Sequence, residues 1–342
     1  MMINFKSDYL EGACPEILTK MVETNFEQTS GYGEDYHSEN AKLLIKKACK
    51  NDNVDVHFLV GGTQTNTTVI ASVLRPFEGV ICADTGHINC HETGAIESTG
   101  HKVMAITGEN GKICAEQIEE LFISCNTDPC YEHIVQPKMV YISNSTETGN
   151  LYKKSELEEI SAVCKKHGLV LFLDGARLGY ALSSEENDIE LSDYARLCDI
   201  FYIGGTKCGA LFGEAVVIVN DEYKNNFRSY IKQRGAMLAK GRLLGIQFEV
   251  LFDGNRYIDL CKNAITLANM VRDGFSEKGY DFLFPSPTNQ QFPIIPDDKL
   301  SELEKNYQFE FWQKVDENRT AVRVCTSWAT KKENVEMLLA DI

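Results

Sequence analysis

Between residues 57 and 219, short apolar segments alternate with segments of helical periodicity. The apolar segments predict β-strands over residues 57–60, 80–83, 103–106, 138–143, 169–173, 200–203 and 215–219. The intervening segments predict helices over residues 63–74, 88–99, 115–124 and 155–167. Repeated alternation of this kind is typical of an α/β fold, with a mostly parallel central sheet and helices on both faces.

Outside this region the pattern changes. Helices are predicted over residues 15–28 and 38–50, and Ser38 is a suitable N-cap for the second. The pattern is helical again from 221 to about 279, whereas 280–342 combines short strands, four prolines and a charged helix. We predict an N-terminal helical segment over 1–50, a large α/β domain over 51–250, and a linking helix with a small α+β domain over 251–342. The N-terminal helices are expected to accompany the small domain or to cover the site.

Charge and hydropathy narrow the range of partners. Acidic side chains outnumber basic ones, 50 against 34, and the formal net charge is −16. Nucleic acids and anionic membranes both attract basic surfaces, so we expect neither as a partner. No apolar run reaches the ~18 residues that a membrane helix needs. The first 25 residues contain no apolar segment of the kind found in secretory signals.

The chain has twelve cysteines but no Cys-x-x-Cys pair. Several lie inside apolar segments, where a free cysteine behaves as a small hydrophobic residue. This usage favours reduced thiols and a cytoplasmic protein. His87 and His91 are spaced i, i+4, but Glu92 lies outside the pair, unlike the His-Glu-x-x-His zinc motif. We therefore predict no metal site.

Ligands of open α/β sheets bind beyond the carboxyl ends of the strands, so the residues that follow each predicted strand are the candidates. Gly62 and Thr63 follow the first strand, where free amide groups and the dipole of the next helix favour a phosphate. The alternative is an ordinary helix start capped by Thr63. The segment contains neither the Gly-x-Gly-x-x-Gly fingerprint of dinucleotide sites nor a Walker A sequence.

Two charged residues follow later strands. Asp174 ends a buried strand, and an unpaired buried carboxylate is costly, so it requires a cationic or N–H partner. Arg177 is one candidate for that partner, in which case the pair is structural. Lys207 follows the next strand between glycines. A lysine that is desolvated at such a strand end is a nucleophile toward carbonyl groups. The alternative is an exposed loop lysine.

A phosphate turn, an acid and a lysine, in that order, match the needs of pyridoxal phosphate: a phosphate cradle, a partner for the pyridine nitrogen and an amine for the aldehyde. The chain resembles the low-specificity L-threonine aldolases of the fold-type I pyridoxal-phosphate enzymes over nearly its whole length. The resemblance lies in residues 7–8, 31–35, 62–66, 174–177, 206–207 and 322–324, and Asp174-Gly175-Ala176-Arg177 with the downstream Lys207 is its strongest part.

The resemblance implies roles for individual residues toward the cofactor. Lys207 would form the Schiff base with the aldehyde, and Asp174 would pair with the pyridine nitrogen. Gly62, Thr63 and Thr206 would hold the phosphate. In the family, an arginine after a glycine-rich stretch contacts the phosphate. The corresponding stretch here is residues 234–242, in which Lys240 is the first candidate for that role and Arg242 the second.

The resemblance also implies a substrate site. Arg177, at the edge of the cofactor site, and Arg323 would bind the substrate carboxylate, with Ser7 nearby. His87 would stack on the cofactor ring, and His133 matches the family's second active-site histidine, five residues before Lys138. Either histidine is a candidate for contacting the β-hydroxyl group, because imidazole both accepts and donates a proton near neutral pH.

The implied activity is retro-aldol cleavage of L-threonine or L-allo-threonine, β-hydroxy-α-amino acids, to glycine and an aldehyde. Another pyridoxal-phosphate-dependent lyase, a racemase or an aminotransferase would use the same cofactor-binding residues. A non-catalytic protein with this fold is disfavoured by Lys207. The family further implies a homo-oligomer, a dimer or tetramer with shared active sites.

Overall fold

The computed structural model describes residues 2–342 of the chain. The N-terminal segment contains β1 (Ile3–Asn4), α1 (Pro15–Glu23) and α2 (Tyr36–Cys49). The alternating region contains β2 (Asp55–Leu59), α3 (Gly62–Val73), β3 (Glu78–Ala83), α4 (His87–Cys90), β4 (Lys102–Ile106), α5 (Ala115–Thr127), β5 (Gln136–Ser143), α6 (Lys154–His167), β6 (Val170–Asp174), α7 (Leu178–Ser183), α8 (Leu191–Leu197), β7 (Ile200–Gly204) and β8 (Glu214–Ile218). Three helices follow, namely α9 (Phe227–Gln233), α10 (Arg242–Phe252) and α11 (Arg256–Glu277). The C-terminal part contains β9 (Gln290–Gln291), β10 (Ile294–Pro296), α12 (Asp297–Leu303), β11 (Tyr307–Gln308), β12 (Glu310–Lys314), β13 (Arg319–Cys325) and α13 (Lys332–Asp341).

The strands of the alternating region form one seven-stranded sheet in the order β2-β8-β7-β6-β5-β3-β4. Four neighbouring pairs are parallel, which confirms the predicted α/β fold with a mostly parallel sheet. The exception is β8, which runs antiparallel to both β7 and β2. Only residues 205–213 join β7 to β8, and a parallel connection needs a crossover of a dozen or more residues.

The central sheet is covered on both faces, as a parallel sheet requires. Along β6, Val170 and Phe172 join one apolar cluster, whereas Leu171 and Leu173 join the other. This alternation follows from the two-residue period of a strand, whose successive side chains point to opposite faces. All residues of β6 and β7 are buried, so the residues that follow them emerge from the core.

Several helix boundaries differ from the predictions for local reasons. Asp35, not Ser38, caps α2, and its carboxylate accepts a hydrogen bond of 2.9 Å from the Ser38 amide. The predicted helix over 88–99 is interrupted, because Thr93 and Gly94 adopt positive φ angles of 52° and 70°. What remains is the short α4 and a 3₁₀ turn over Glu97–Thr99. Helix α1 ends at Glu23 rather than at residue 28.

The C-terminal part contains a second, smaller sheet, in which β13 pairs with β9, β10 and β12. The N-terminal segment contacts both parts of the fold, since β1 pairs in parallel with β11 while α2 packs on α10. The boundaries of the three-part division stay a prediction. Within residues 2–342, no helix is long and apolar enough to cross a membrane.

Candidate active site

The carboxyl ends of the parallel strands meet at one edge of the central sheet. Ser143 at the end of β5 pairs with Asp174 at the end of β6, and Gly204 at the end of β7 pairs with Glu214 at the start of β8. A cleft of about 450 Å³ opens at this edge. It is lined by residues from the strand ends, the N-terminal segment and the small sheet: Tyr9, His87, His91, Glu147, Arg177, Lys207, Glu310, Phe311, Trp312 and Arg323.

Asp174 is buried beneath the cleft, with 4% of its surface exposed. Its carboxylate accepts hydrogen bonds from the Tyr141 hydroxyl, from the Ala176 amide at 2.9 Å and from the Asn66 amide nitrogen at 3.4 Å. All three donors are neutral. A buried carboxylate without a cationic partner is costly, so these contacts leave Asp174 available to a cationic group.

Arg177 is not the partner of Asp174. Its Nε and Nη2 donate to the two carboxylate oxygens of Asp8 at 2.7 and 3.1 Å, and its Nη1 lies 3.7 Å from the Glu147 carboxylate. Although burial alone would raise the pKa of Asp8, the charges of Arg177 and Lys207 and the hydrogen bonds to the carboxylate lower it to about 2. Burial likewise opposes the charge of Arg177, but Asp8 and Glu147 raise its pKa. The N-terminal segment is thus fixed to this edge of the sheet, and only Nη1 of Arg177 faces an acceptor other than Asp8.

Lys207 follows β7 and is partly exposed in the cleft, so it is neither a core residue nor an outer loop lysine. Its ammonium group lies 5.9 Å from the centre of the Tyr9 ring. The preceding Thr206 donates its hydroxyl proton to Glu214 at 2.7 Å and accepts from the Gly213 amide at 3.0 Å. Burial raises the pKa of Glu214 to about 8, although the Thr206 hydrogen bond and the Lys207 charge lower it.

Helix α3 begins at Gly62 beside the same edge. Gly61, in extended conformation, is its N-cap, so Thr63 is inside the first turn and does not cap the helix. The first amide groups of a helix have no intrahelical acceptor, and here no acidic side chain occupies the first turn. A Cβ at Gly62 would lie 3.3 Å from the Tyr202 hydroxyl, which is buried and has no partner within residues 2–342. These donors suit an anion.

Arg323 lies on β13 and reaches the cleft across the small sheet. Its Nη1 donates to the Gln290 side-chain oxygen at 3.2 Å, and its Nη2 donates to the Lys6 carbonyl at 2.9 Å. Ser7 follows Lys6, and its buried hydroxyl has no partner in the described part of the chain. The structure therefore brings Arg177, Arg323 and Ser7 to the same region.

His87 begins α4 and lines the cleft, where its ring centre lies 5.7 Å from that of His91. Its Nδ1 is 2.8 Å from an oxygen of the buried Glu92. No set of three or more metal-binding side chains is present among residues 2–342.

Two predicted site residues lie elsewhere within the chain. His133 is exposed in a 3₁₀ turn before β5, whereas the cleft is at the other end of that strand. Since β5 has eight residues at about 3.3 Å each, roughly 23 Å separate its ends. Lys240 is exposed in the loop between α9 and α10, and Arg242 donates to the Glu27 and Asn25 carbonyls at 2.7 and 3.1 Å. One chain therefore does not bring His133, Lys240 or Arg242 to the cleft.

Sequence reasoning missed Asp8 and Glu147 as functional candidates. Asp8 lies in the segment 7–8, but its contact with Arg177 spans 169 residues and has no local signal. Glu147 does have a signal, because it follows β5 and the rule that selected Asp174 and Lys207 also applies to it.

Comparison with known proteins defines the class. A family model described as beta-eliminating lyase matches residues 4–295. The chain belongs to the beta-eliminating lyase family and is a pyridoxal-phosphate-dependent lyase.

Within this class, the chain is similar to threonine aldolases. It is 30% identical to a low-specificity L-threonine aldolase of a Pseudomonas species, over 99% of this chain and 96% of the relative. A solved structure of Leishmania major threonine aldolase is 46% identical, with a TM-score of 0.96 and coverage of 99% and 98%. Aspartate aminotransferase of Thermus thermophilus, 13% identical with a TM-score of 0.71 over 99% of this chain and 90% of that structure, shares the fold.

The residues at the strand ends fit pyridoxal phosphate. Asp174 is buried and contacts only neutral donors, as a partner for a protonated ring nitrogen should be. The start of α3 offers amides without an intrahelical acceptor, and the unpartnered Tyr202 hydroxyl lies beside Gly62. Lys207 presents its amine in the cleft close by. These three features supply the charge partner, the anion site and the amine that the cofactor requires.

Proposed function

We propose that the protein cleaves L-threonine and L-allo-threonine to glycine and acetaldehyde. The observation that carries the proposal is the combination of Lys207, Arg177 and Arg323 in one cleft. The similarity to threonine aldolases over nearly the full length supports it. An amine for the cofactor and guanidinium groups for a carboxylate suit an amino-acid substrate.

Asp174, Lys207 and the first turn of α3 would hold the cofactor. Asp174 would keep the proton on the ring nitrogen, Lys207 would bond the aldehyde carbon, and the amides at Gly62 and Thr63 would bind the phosphate, with Thr206 beside them. When bound, pyridoxal phosphate supplies a sink for the electron pair that is released from the Cα–Cβ bond. Burial of Asp174 strengthens its charge interaction, because the local dielectric is low.

Arg177 and Arg323 would bind and orient the substrate. Since Asp8 takes Nε and Nη2 of Arg177, the remaining Nη1 is the group that can pair with a substrate carboxylate. Arg323 would bind the same carboxylate from the small sheet. Two cations that hold the carboxylate in one place would fix the rotation about the Cα–N bond, and this aligns the Cα–Cβ bond for cleavage.

His87 would take the proton of the β-hydroxyl group. As the Cα–Cβ bond breaks, the hydroxyl oxygen becomes the aldehyde carbonyl and its proton passes to the imidazole. A proton must then be added at Cα to give glycine. A group of this type contributes by being close to the hydroxyl and by having a pKa near the working pH.

We also propose that the protein is a cytoplasmic homo-oligomer with shared active sites. Side chains of the N-terminal segment support an interface there, since Val22, Phe26, Tyr36 and Leu43 are between 64% and 93% exposed. Large exposed apolar side chains in one segment favour an interaction surface there. A role for His133 at an active site requires a second copy of the chain, because within its own chain it lies beyond the far end of β5.

The proposal is tested by product analysis of the purified holoenzyme with L-threonine. We expect equal amounts of glycine and acetaldehyde, and L-allo-threonine should give the same products. The variant Lys207→Ala should lose the near-visible absorbance and the activity, whereas the exposed control Lys305→Ala should keep both. Formation of a keto acid or of D-allo-threonine instead of acetaldehyde would contradict the aldolase assignment, and full activity of Lys207→Ala would contradict the role of this lysine.

A further inference from the structure

The side chains of four polar residues form a hydrogen-bonded network at the cleft, in the order His87, Glu92, Asn66 and Asp174. The Nδ1 of His87 lies 2.8 Å from Oε1 of Glu92, and the Asn66 amide nitrogen donates to that same oxygen at 2.7 Å. The Asn66 nitrogen also lies 3.4 Å from Oδ2 of Asp174. One amide group therefore bridges two buried carboxylates, one of which contacts the histidine.

Glu92 has few means of balancing its charge. Its side chain has no exposed surface, and its second oxygen, Oε2, has no partner within residues 2–342. Among residues 2–342, the ring of His87 is the only group in contact with it that can carry a positive charge. A buried carboxylate is costly unless it is paired and hydrogen-bonded, so this arrangement favours a proton on Nδ1 of His87.

The orientation of the Asn66 amide follows from its neighbours. Its nitrogen faces oxygens of Glu92 and Asp174, and the opposite orientation would direct the amide oxygen at two carboxylates. The amide thus separates two like charges that would otherwise repel each other. A change at Glu92 is therefore transmitted to Asp174 through a single side chain.

The contact with Glu92 also decides which nitrogen of His87 is free. Nδ1 is occupied, so Nε2 is the nitrogen available to a ligand in the cleft, where 28% of the side chain is exposed. A second nitrogen held by a carboxylate fixes both the tautomer and the plane of an imidazole ring. Glu92 has the geometry for this role toward His87.

We propose that Glu92 is a positioning residue that keeps the proton of His87 on Nδ1 and directs Nε2 toward the substrate β-hydroxyl group. This inference rests on the proposed aldolase function and adds a residue that acts through His87. Asn66 is the link that keeps Glu92 and Asp174 in one buried network. The side chain of Glu92 does not line the cleft and needs no contact with the substrate.

The charges around His87 set the direction of the expected pH effect. Burial alone would lower the pKa of His87, but the Glu92 hydrogen bond and the charges of Glu147 and Asp174 raise it, while Lys207 lowers it. His91 and Arg177 also face this part of the cleft. Removing the charge of Glu92 should therefore lower the pKa of His87 and make it a weaker base.

The test compares Glu92→Gln, which keeps the size and removes the charge, with Glu92→Asp, which keeps the charge. The exposed Glu97→Gln in the same segment is the control. The pH dependence of kcat/KM for threonine cleavage is measured on each holoenzyme. For Glu92→Gln we expect the acid limb of the kcat/KM profile to shift to lower pH by about one unit. We expect the plateau value of kcat/KM to fall about 10- to 100-fold. Glu92→Asp should keep the acid limb near that of the wild type at a reduced rate.

A second measurement does not depend on turnover. Histidine labelled with ¹³C at Cε1 allows His87 to be titrated by NMR in each holoenzyme, with the signal assigned by its absence from His87→Asn. We expect the midpoint of His87 to fall in Glu92→Gln and to stay in Glu97→Gln. Superimposable pH profiles and titrations of wild type and Glu92→Gln would overturn the inference. A wild-type protein that fails to cleave threonine, with the NMR shift present, would instead overturn the aldolase assignment.

Discussion

Removal of the carboxylate charge of Asp8 should weaken both the fold and substrate binding. Asp8 and Arg177 form a buried pair with two hydrogen bonds, and Asn289 donates to the same carboxylate at 2.9 Å. The substitution Asp8→Asn keeps the shape of the side chain. It leaves a buried guanidinium group beside a neutral amide, with Glu147 at 3.7 Å as its remaining charged neighbour.

The magnitude follows from the pKa of Asp8. Folding lowers it from 3.8 to about 2, and a shift of this size corresponds to roughly 2–3 kcal/mol of stability. Loss of one partner from a buried pair costs about 3–5 kcal/mol, because the other charge stays buried. We therefore expect Asp8→Asn to lower the free energy of unfolding by about 3 kcal/mol at pH 7. Because the folded pKa is depressed, the contribution is present above pH 3.8 and is lost as the pH falls through about 2.

The assay is urea unfolding at fixed protein concentration, at pH 7 and at several lower values, together with the KM for threonine. The exposed Asp52→Asn is the control for the loss of one negative charge. The difference between wild type and Asp8→Asn should shrink with falling pH, and the KM should rise because Arg177 loses the contact that holds its Nη1 toward the cleft. An unchanged unfolding midpoint at pH 7 would refute this reasoning, and a difference that grows with acidity would show that the sign is wrong.

Two further variants probe the site. Asp174→Asn should keep part of the cofactor binding but lose about 3–4 kcal/mol of transition-state stabilisation, because an amide cannot retain the ring proton. Turnover measured at equal cofactor occupancy checks this, and near-wild-type rates would leave Asp174 with only a structural role. Arg323→Lys should raise the KM for threonine strongly, by the equivalent of about 2–5 kcal/mol, with a normal cofactor spectrum, because lysine cannot reproduce the planar fork of arginine. An unchanged KM would remove Arg323 from the substrate site.

The strand positions of the central sheet could be predicted because a buried strand has a local signal, a short apolar run between polar residues. The direction of β8 could not be predicted from its composition, since Glu214–Ile218 is as buried as the parallel strands β6 and β7. Its direction depends on the connection over 205–213, whose length favours an antiparallel return. The interruption of the predicted helix over 88–99 depends on the backbone at Thr93, a residue that rarely adopts positive φ.

At the site, the positions of Asp174 and Lys207 could be predicted, because a residue at or just after the end of a strand lies at the edge of the sheet. This position does not depend on how distant parts of the chain pack. Partners that depend on packing had no such signal. Arg177 pairs with Asp8 rather than Asp174, and the helix after β2 is capped by Gly61 rather than Thr63. The position of His133 could have been predicted, because it lies in a turn before a parallel strand. A residue in that place lies at the amino end of the strand, at the edge of the sheet opposite the site.

The pairing of β1 with β11 has a consequence for how the chain folds during synthesis. Asn4 and Gln308 are joined by a side-chain hydrogen bond of 2.8 Å across 304 positions. A ribosome adds roughly 5–20 residues per second, so the first strand waits tens of seconds before its partner is made. Throughout that interval Ile3 and Phe5 lack the strand that covers them in the native fold. Pairing of β1 with β11 thus brings the segment that precedes Tyr9 to the small sheet, and Tyr9 lines the cleft together with Arg323.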